Sequence, residues 1–325
     1  MADNFYNITQ YQPNLLSNNL ELIAKAKEFA NSAYANNTIL AYQKDWQNFV
    51  NWCNSENLCP LPCAIGTLVL YITELAKINR KASTIQRHIC AISKIHNMAN
   101  HTLNLKHSDF ILVWNGIKRT LGLSKTGKSP ILLSHLKQII KTINGDSNQE
   151  IRDRALLLFG WASAMRRSEI IALDWQDIAY VDEGIMVTIR QSKTDQFGLG
   201  QKIAIINGRN EETCPVRSLK KWKTVSQGNI PVFTSINKAD QISYTRLSDR
   251  DIARTVKKLL AQIDMNPDNF AGHSLRSGFI TTAAKHSVPD RTIMKHSRHK
   301  SIQMLQVYTR DNSLIEDNAT SMVGL

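Results

Sequence analysis

The chain has 325 residues, 42% of them hydrophobic and 21% charged, and a formal net charge of +13 at pH 7. That hydrophobic share excludes a disordered chain, and the length suggests about two domains. The basic excess is spread along the sequence and favours a polyanionic partner, the alternative being a solvated basic surface without one.

Residues 1–19 are polar and read as a flexible N-terminus. From 20 to 121 the pattern is helical. Ile39, Tyr42, Trp46, Phe49 and Cys53 recur at threes and fours, and Leu68, Leu70, Tyr71, Leu75 and then Ile85, Ile89, Ile92, Ile95 mark two further helices. Pro60 and Pro62 interrupt the run, so a domain of four or five helices is expected. Residues 122–130 are basic and rich in Gly, Ser and Pro, as in a linker.

The remainder, 131–325, forms a second domain. Helices are predicted near Ser134 and over Ile151–Trp161, followed by strands at Gly184–Arg190 and Gln201–Ile206 joined as a hairpin, and a short strand at Ile230–Thr234. Ser248-Asp249-Arg250-Asp251 resembles a capping box opening a helix to about Ile263, and the chain after Pro267 is helical. The expected fold is mainly α with one small antiparallel β-sheet.

Five cysteines without a C-x-x-C pair fit free thiols in a reducing cytoplasm better than half a zinc site at Cys59 and Cys63. No signal peptide is evident at Met1–Tyr6, and the apolar stretch Leu156–Met165 is far short of the roughly twenty residues that cross a bilayer. A cytoplasmic protein without membrane contact is expected, nucleoid-associated if bacterial or phage.

Three segments carry chemistry. Arg166 precedes Glu169 by three residues, as His273 precedes Arg276, a spacing that puts each pair on one helical face. Each motif alone is an ordinary helix surface. The third segment is His299-Lys300-Ser301-Ile302-Gln303-Met304-Leu305-Gln306-Val307-Tyr308. Two arginines, two histidines and a late tyrosine are suited to attack on a phosphodiester, with guanidinium groups clamping the non-bridging oxygens and the phenol as nucleophile.

Taken together, Arg166, Lys193, His273-x-x-Arg276, His299 and Tyr308 resemble the signature of the tyrosine recombinase (phage integrase) family, in the family's order. The two-domain layout is closest to its simple Cre-like or Xer-like members. Three departures stand out: Ala164 and Arg298 occupy positions where relatives commonly have glycine, and Arg167 one that is usually apolar. The resemblance implies an all-helical core-binding (SAM-like) domain and a catalytic domain closing as a C-shaped clamp on double-stranded DNA. It implies cleavage and rejoining through a 3′-phosphotyrosyl ester and a Holliday junction, without metal, ATP or other cofactor. Arg166 and Arg276 would stabilise the phosphate, Tyr308 attack, His273 take its proton, His299 bind the phosphate and Glu169 orient the set. Lys193 would protonate the leaving oxygen, with Lys202 as competitor. Lys81, Thr84, Gln86 and Arg87, with Arg250 and Arg254, would contact DNA, unless they form solvated helix faces. Inverted half-sites would each bind a monomer, giving a homodimer per site and a homotetramer at synapsis. A C-terminal helix with Leu314, Ile315, Ala319, Met322 and Val323 would dock in a neighbour. Rival readings are a type IB topoisomerase-like enzyme and a catalytically silent DNA-binding protein.

Overall fold

The computed structural model describes residues 20–33, 36–122, 127–192, 195, 200–228, 230–306 and 308. The N-terminal segment 1–19, Lys193 and the expected tail helix lie outside the described residues. The chain divides into two compact units, Met1–Thr126 and Gly127–Leu325.

The first unit contains helices α1 (Leu20–Ser32), α2 (Asn36–Ser55), α3 (Ile65–Lys77), α4 (Ala82–Met98) and α5 (Ser108–Leu121). Their apolar stripes meet in a core built on Phe49, Leu68, Ile72, Ile85, Ile89, Ile92 and Phe110. Leu70, which the periodicity places with that stripe, faces outward instead and is 58% exposed. A polar chain crosses the same core. His88 lies between the Tyr71 hydroxyl (3.0 Å) and buried Asp45 (3.2 Å), and Arg87 donates to Asp45 through Nε and Nη2 at 2.7 and 3.0 Å.

The second unit is organised around α7 (Asn148–Ala162), which follows α6 (Leu133–Thr142). Its N-terminus is capped by Ser147, whose Oγ accepts from the Glu150 amide. Apolar residues surround α7, because α9 (Pro215–Val225) packs on one side and α11 (Ser274–Lys285) on another. α8 (Arg167–Ala172) comes between α7 and a three-stranded antiparallel sheet of β1 (Ile178–Val181), β2 (Gly184–Ile189) and β3 (Gln201–Ile206). The register pairs Ile185 with Ile205 and Val187 with Ile203, so the apolar faces of the two long strands coincide.

The expected strand at Ile230–Thr234 is corrected. The strand is β4 (Thr234–Ile236), and it pairs with β5 (Ile242–Arg246) in a second sheet of its own. Two side-chain anchors hold this hairpin: Asp240 accepts from the Asn148 and Gln149 amides at 2.7 and 2.9 Å, capping α7, and Arg246 reaches Asp174 at 2.5 Å. α10 (Asp249–Ala261) begins at Ser248, whose Oγ accepts from the Asp251 amide while Asp251 accepts from the Ser248 amide, the capping box anticipated there. α12 (Asp290–Ser297) and the helical residues 302–306 complete the unit, joined by a small cluster of Ile280, Ile293 and Leu305.

Candidate active site

Three chain ends converge. The first is the turn from α7 to α8. Ala164 adopts a left-handed conformation, φ 48°, and is completely buried. An L-residue there costs about 1 kcal/mol relative to glycine. The turn aims the Ala164 carbonyl at Arg276, whose Nη1 donates to it at 2.5 Å. Arg166 caps α8 rather than lying within it. Its amide donates to Glu169 Oε2 (2.8 Å) and its Nη1 to Oε1 (2.7 Å), so one carboxylate orients both backbone and side chain.

The second end is the start of α11. His273 precedes the helix and Arg276 lies one turn on, 1% exposed. The helix reaches this depth because Gly278 lets it touch the Ile131 backbone, whose amide donates to the Ser274 carbonyl at 2.9 Å. Gly272 similarly makes room for the Arg167 side chain, which runs on to Asp249 at the head of α10.

The third end is the turn after α12. Arg298 is left-handed, φ 60° and ψ 40°, and its Nη2 donates to Glu169 Oε2 at 2.7 Å. Both positions where glycine was expected therefore keep the glycine-like backbone despite their side chains. His299 follows. Ser297 Oγ donates to the Ile293 carbonyl (2.6 Å), so it accepts from His299 Nδ1 at 2.7 Å, leaving Nε2 as the acceptor facing Arg276 Nη2 at 3.3 Å. Tyr308 reaches the same space from the next helical stretch. Its hydroxyl lies 2.9 Å from His273 Nε2, its ring is 5.8 Å from that of His299, and its carbonyl accepts from Thr281 at 3.4 Å.

The electrostatics separate the roles. Burial, then Arg276 and Arg166, push the His273 pKa down to about 4, and burial with the same arginines brings His299 to about 4. Both imidazoles are neutral at pH 7. Burial raises the Tyr308 phenol, against an opposing pull from Arg276 and Arg166. Arg276 falls to about 10 through burial and its neighbours Arg166 and Arg298, and so stays charged. Burial alone would raise Glu169, but Arg298, then the Arg166 hydrogen bonds, hold it below the usual carboxylate range. The result is a cationic pocket holding a phenol hydrogen-bonded to a neutral base.

Of the expected catalytic set, Arg166, Glu169, His273, Arg276, His299 and Tyr308 thus gather in one place. Lys193 lies outside the described residues, whereas Ser192 and Asp195 on either side of it are described. Ser192 and Asp195 exchange backbone hydrogen bonds at 3.3 and 3.0 Å, and Arg190, at the end of β2, donates to Asp174 and Asp177 just after α8. Lys202 stands exposed on β3 opposite Thr188. His296 is occupied elsewhere, bonded to the Ala162 carbonyl at 2.8 Å and stacked on Phe279. Among the described residues no three His, Cys, Asp or Glu side chains come together as metal ligands, and all five cysteines are unpaired.

The expected DNA-contacting residues fall in two groups, one in each unit. Lys81 and Gln86 are exposed and Thr84 half-buried at the start of α4, whereas Arg87 commits two donors to Asp45 and leaves the rest at the surface. Arg250 and Arg254 are exposed on α10, Arg254 near Asp251 at 3.3 Å. Four participants escaped the sequence reading: Arg298, Ser297, Gly278 and the Ala164 carbonyl. The substitutions at the two glycine positions were the available signals for Ala164 and Arg298.

The model of the phage integrase family matches residues 131–314. The chain is 36% identical over 323 residues to an integrase/recombinase xerD homolog of Selenomonas ruminantium, covering 98% of this chain and 94% of that relative. It is 26% identical over 309 residues to the tyrosine recombinase XerD of Rickettsia prowazekii (strain Madrid E), covering 89% and 92%. Among solved structures, a lambda integrase(75-356) dimer bound to a COC′ core site aligns with a TM-score of 0.60 at 16% identity, over 89% of this chain and 93% of that one. XerH bound to palindromic difH substrate aligns at 0.57 with 14% identity, over 80% and 71%. These two likenesses concern the fold. Supported by the family model and by the Selenomonas relative, the sequence belongs to the phage integrase family of tyrosine recombinases.

Proposed function

We propose that the chain binds double-stranded DNA and recombines it at specific sites, with Tyr308 as the nucleophile. The observation that carries this is the 2.9 Å approach of the Tyr308 hydroxyl to His273 Nε2 within reach of the Arg166 and Arg276 charges. A phenol has a pKa near 10 and needs a base at neutral pH. Neutral His273 accepts its proton as the Tyr308 oxygen bonds to phosphorus. The bond from phosphorus to the 5′ oxygen breaks, and that oxygen takes a proton from Lys193, with Lys202 as the competing donor.

Attack concentrates charge on the non-bridging oxygens. Arg166 and Arg276, already fixed by Glu169 and by the Ala164 carbonyl, stabilise that charge without reorganising. An arriving phosphate also offsets the arginine repulsion on His299, which then gains a proton on Nε2 and donates to the phosphate. The 3′-phosphotyrosyl ester conserves the broken bond, so a second 5′ hydroxyl reseals it without ATP. Guanidinium groups supply the charge that a metal would otherwise provide.

Paired exchanges pass through a Holliday junction. Inverted half-sites, a homodimer on each site, a synaptic homotetramer and a cytoplasmic setting, nucleoid-associated if bacterial or phage, complete the proposal. The helical unit would bind DNA through Lys81, Thr84, Gln86 and the free edge of Arg87, and α10 through Arg250 and Arg254.

The test is covalent trapping on nicked duplexes carrying sites that the protein selects from a randomised half-site library. Wild type should form a protein–DNA adduct and recombinant products, and Tyr308→Phe should bind without forming adduct. Adduct formation by Tyr308→Phe would move the nucleophile elsewhere. Relaxation of supercoils without recombinants would favour the type IB topoisomerase reading, and binding without any adduct a silent DNA-binding protein.

A further inference from the structure

Arg298 stands where its presence is unfavourable in three ways. Its backbone is left-handed, which crowds the Cβ of any L-residue and suits glycine. Its guanidinium is buried, only 9% of the residue being exposed, beside the like charges of Arg166 and Arg276. Among the described residues, its Nε and Nη1 donors are buried without a hydrogen-bond partner. Strain and orphan donors together at one residue point to a role beyond packing.

What Arg298 does is visible in its contact from Nη2 to Glu169 Oε2 at 2.7 Å across 129 residues of sequence. Glu169 accepts at the same oxygen from the Arg166 amide and at the other from Arg166 Nη1. One carboxylate therefore joins the start of α8 to the turn that carries His299. On its other side, His299 is held by Ser297 and faces Arg276. Arg166 and Arg276 act on the Tyr308 hydroxyl, whereas Arg298 stands behind the carboxylate.

We propose that Arg298 is a positioning residue for DNA cleavage: through Glu169 it locks the His299 turn to the Arg166 segment and so sets the spacing of His299, Arg166 and Arg276. It does not touch the reacting atoms. The charged groups facing Glu169 are Arg166 from the head of α8, Arg298 from the turn after α12 and Arg276 from α11. The charge of Arg298 is the largest single influence keeping the carboxylate ionised, ahead of each Arg166 hydrogen bond, so its removal raises the pH at which the clamp is lost.

The inference rests on strand cleavage by Tyr308, and its test uses the full chain on nicked duplexes bearing sites selected by wild-type protein. Arg298→Gly relieves the left-handed strain but strips the buried Glu169 carboxylate of one cationic partner, so it should melt below wild type while staying folded at the assay temperature, with DNA affinity unchanged. Its single-turnover rate of adduct formation at pH 7.5 should fall by about tenfold or more, the effect of a small misplacement of catalytic groups. The acid limb of its pH–rate profile should move to higher pH. Arg298→Lys keeps the charge and should recover part of the rate, and Glu169→Gln combined with Arg298→Gly should be no slower than Glu169→Gln alone. A wild-type rate in Arg298→Gly, a slower rate with an unmoved profile, or an Arg298→Lys variant as slow as Arg298→Gly would each overturn the proposal. Failure of wild type itself to form an adduct would instead refute cleavage by Tyr308.

Discussion

Replacing Gly278 with alanine sets helix propensity against a backbone collision. The residue lies on α11, two positions after Arg276. An added Cβ would come 2.6 Å from the Ile131 carbonyl carbon and 3.0 Å from its nitrogen, and closer still to the carbonyl oxygen. Carbon atoms in contact normally stand about 3.5–4.0 Å apart, so α11 or the Ile131 segment must move by roughly 1 Å. That segment resists, because the Ile131 amide donates to the Ser274 carbonyl and the Ile131 carbonyl accepts from Trp161 Nε1, both at 2.9 Å. Alanine gains about 1 kcal/mol over glycine in a helix interior. Overpacking costs about 1–3 kcal/mol and each weakened hydrogen bond about 1. The net loss is about 2–4 kcal/mol, a fall in melting temperature of roughly 5–15 °C for a domain of this size. A shift of about 1 Å in His273 and Arg276 should also slow cleavage roughly a hundredfold. Thermal melting followed by tryptophan fluorescence, with adduct trapping beside it, measures both effects. If Gly278→Ala melts at or above the wild-type temperature and cleaves at the wild-type rate, the close approach does not set the depth of α11.

Arg276→Lys should lower the adduct-forming rate by about a hundred- to a thousandfold, since one ammonium cannot serve the Ala164 carbonyl, His299 and an oxyanion together; a loss below tenfold in single-turnover assays would count against the forked role. Lys193→Ala should lose about a hundredfold on normal DNA and recover on a substrate whose bridging 5′ oxygen is sulfur, which leaves without a proton. Absence of rescue shifts attention to Lys202. The DNA-free protein should lose stability on acidification between about 6.5 and about 4. His273 and His299 stay neutral there when folded while the unfolded chain takes up protons, so their contribution is complete above the unfolded pKa and disappears as pH falls toward the folded one. Urea midpoints that stay flat between pH 7.5 and 4.5 would contradict this.

Much of the chemistry was legible because it is local. Three-residue spacing brings His273 beside Arg276 through helix geometry alone, and Ser248 caps α10 through atoms three residues away. The helical periodicity of the first unit likewise follows from its own residues, although at Leu70 the stripe is wider than the surface available to bury it. The boundary of β4 was misplaced because its partner β5 lies beyond a turn, and pairing rather than propensity decides which residues of such a short strand are extended.

The sequence by itself determined which reactive groups the chain owns, their order, and the helices that carry most of them. The tertiary structure decided how those groups are held. Glu169 meets Arg298 across 129 residues and Arg276 meets the Ala164 carbonyl across 112. A backbone carbonyl or a left-handed turn has no residue type of its own, and a buried ion pair depends on two segments arriving from opposite ends of the unit. Those contacts exist only once the α7 core has brought the segments together, so no local pattern encodes them.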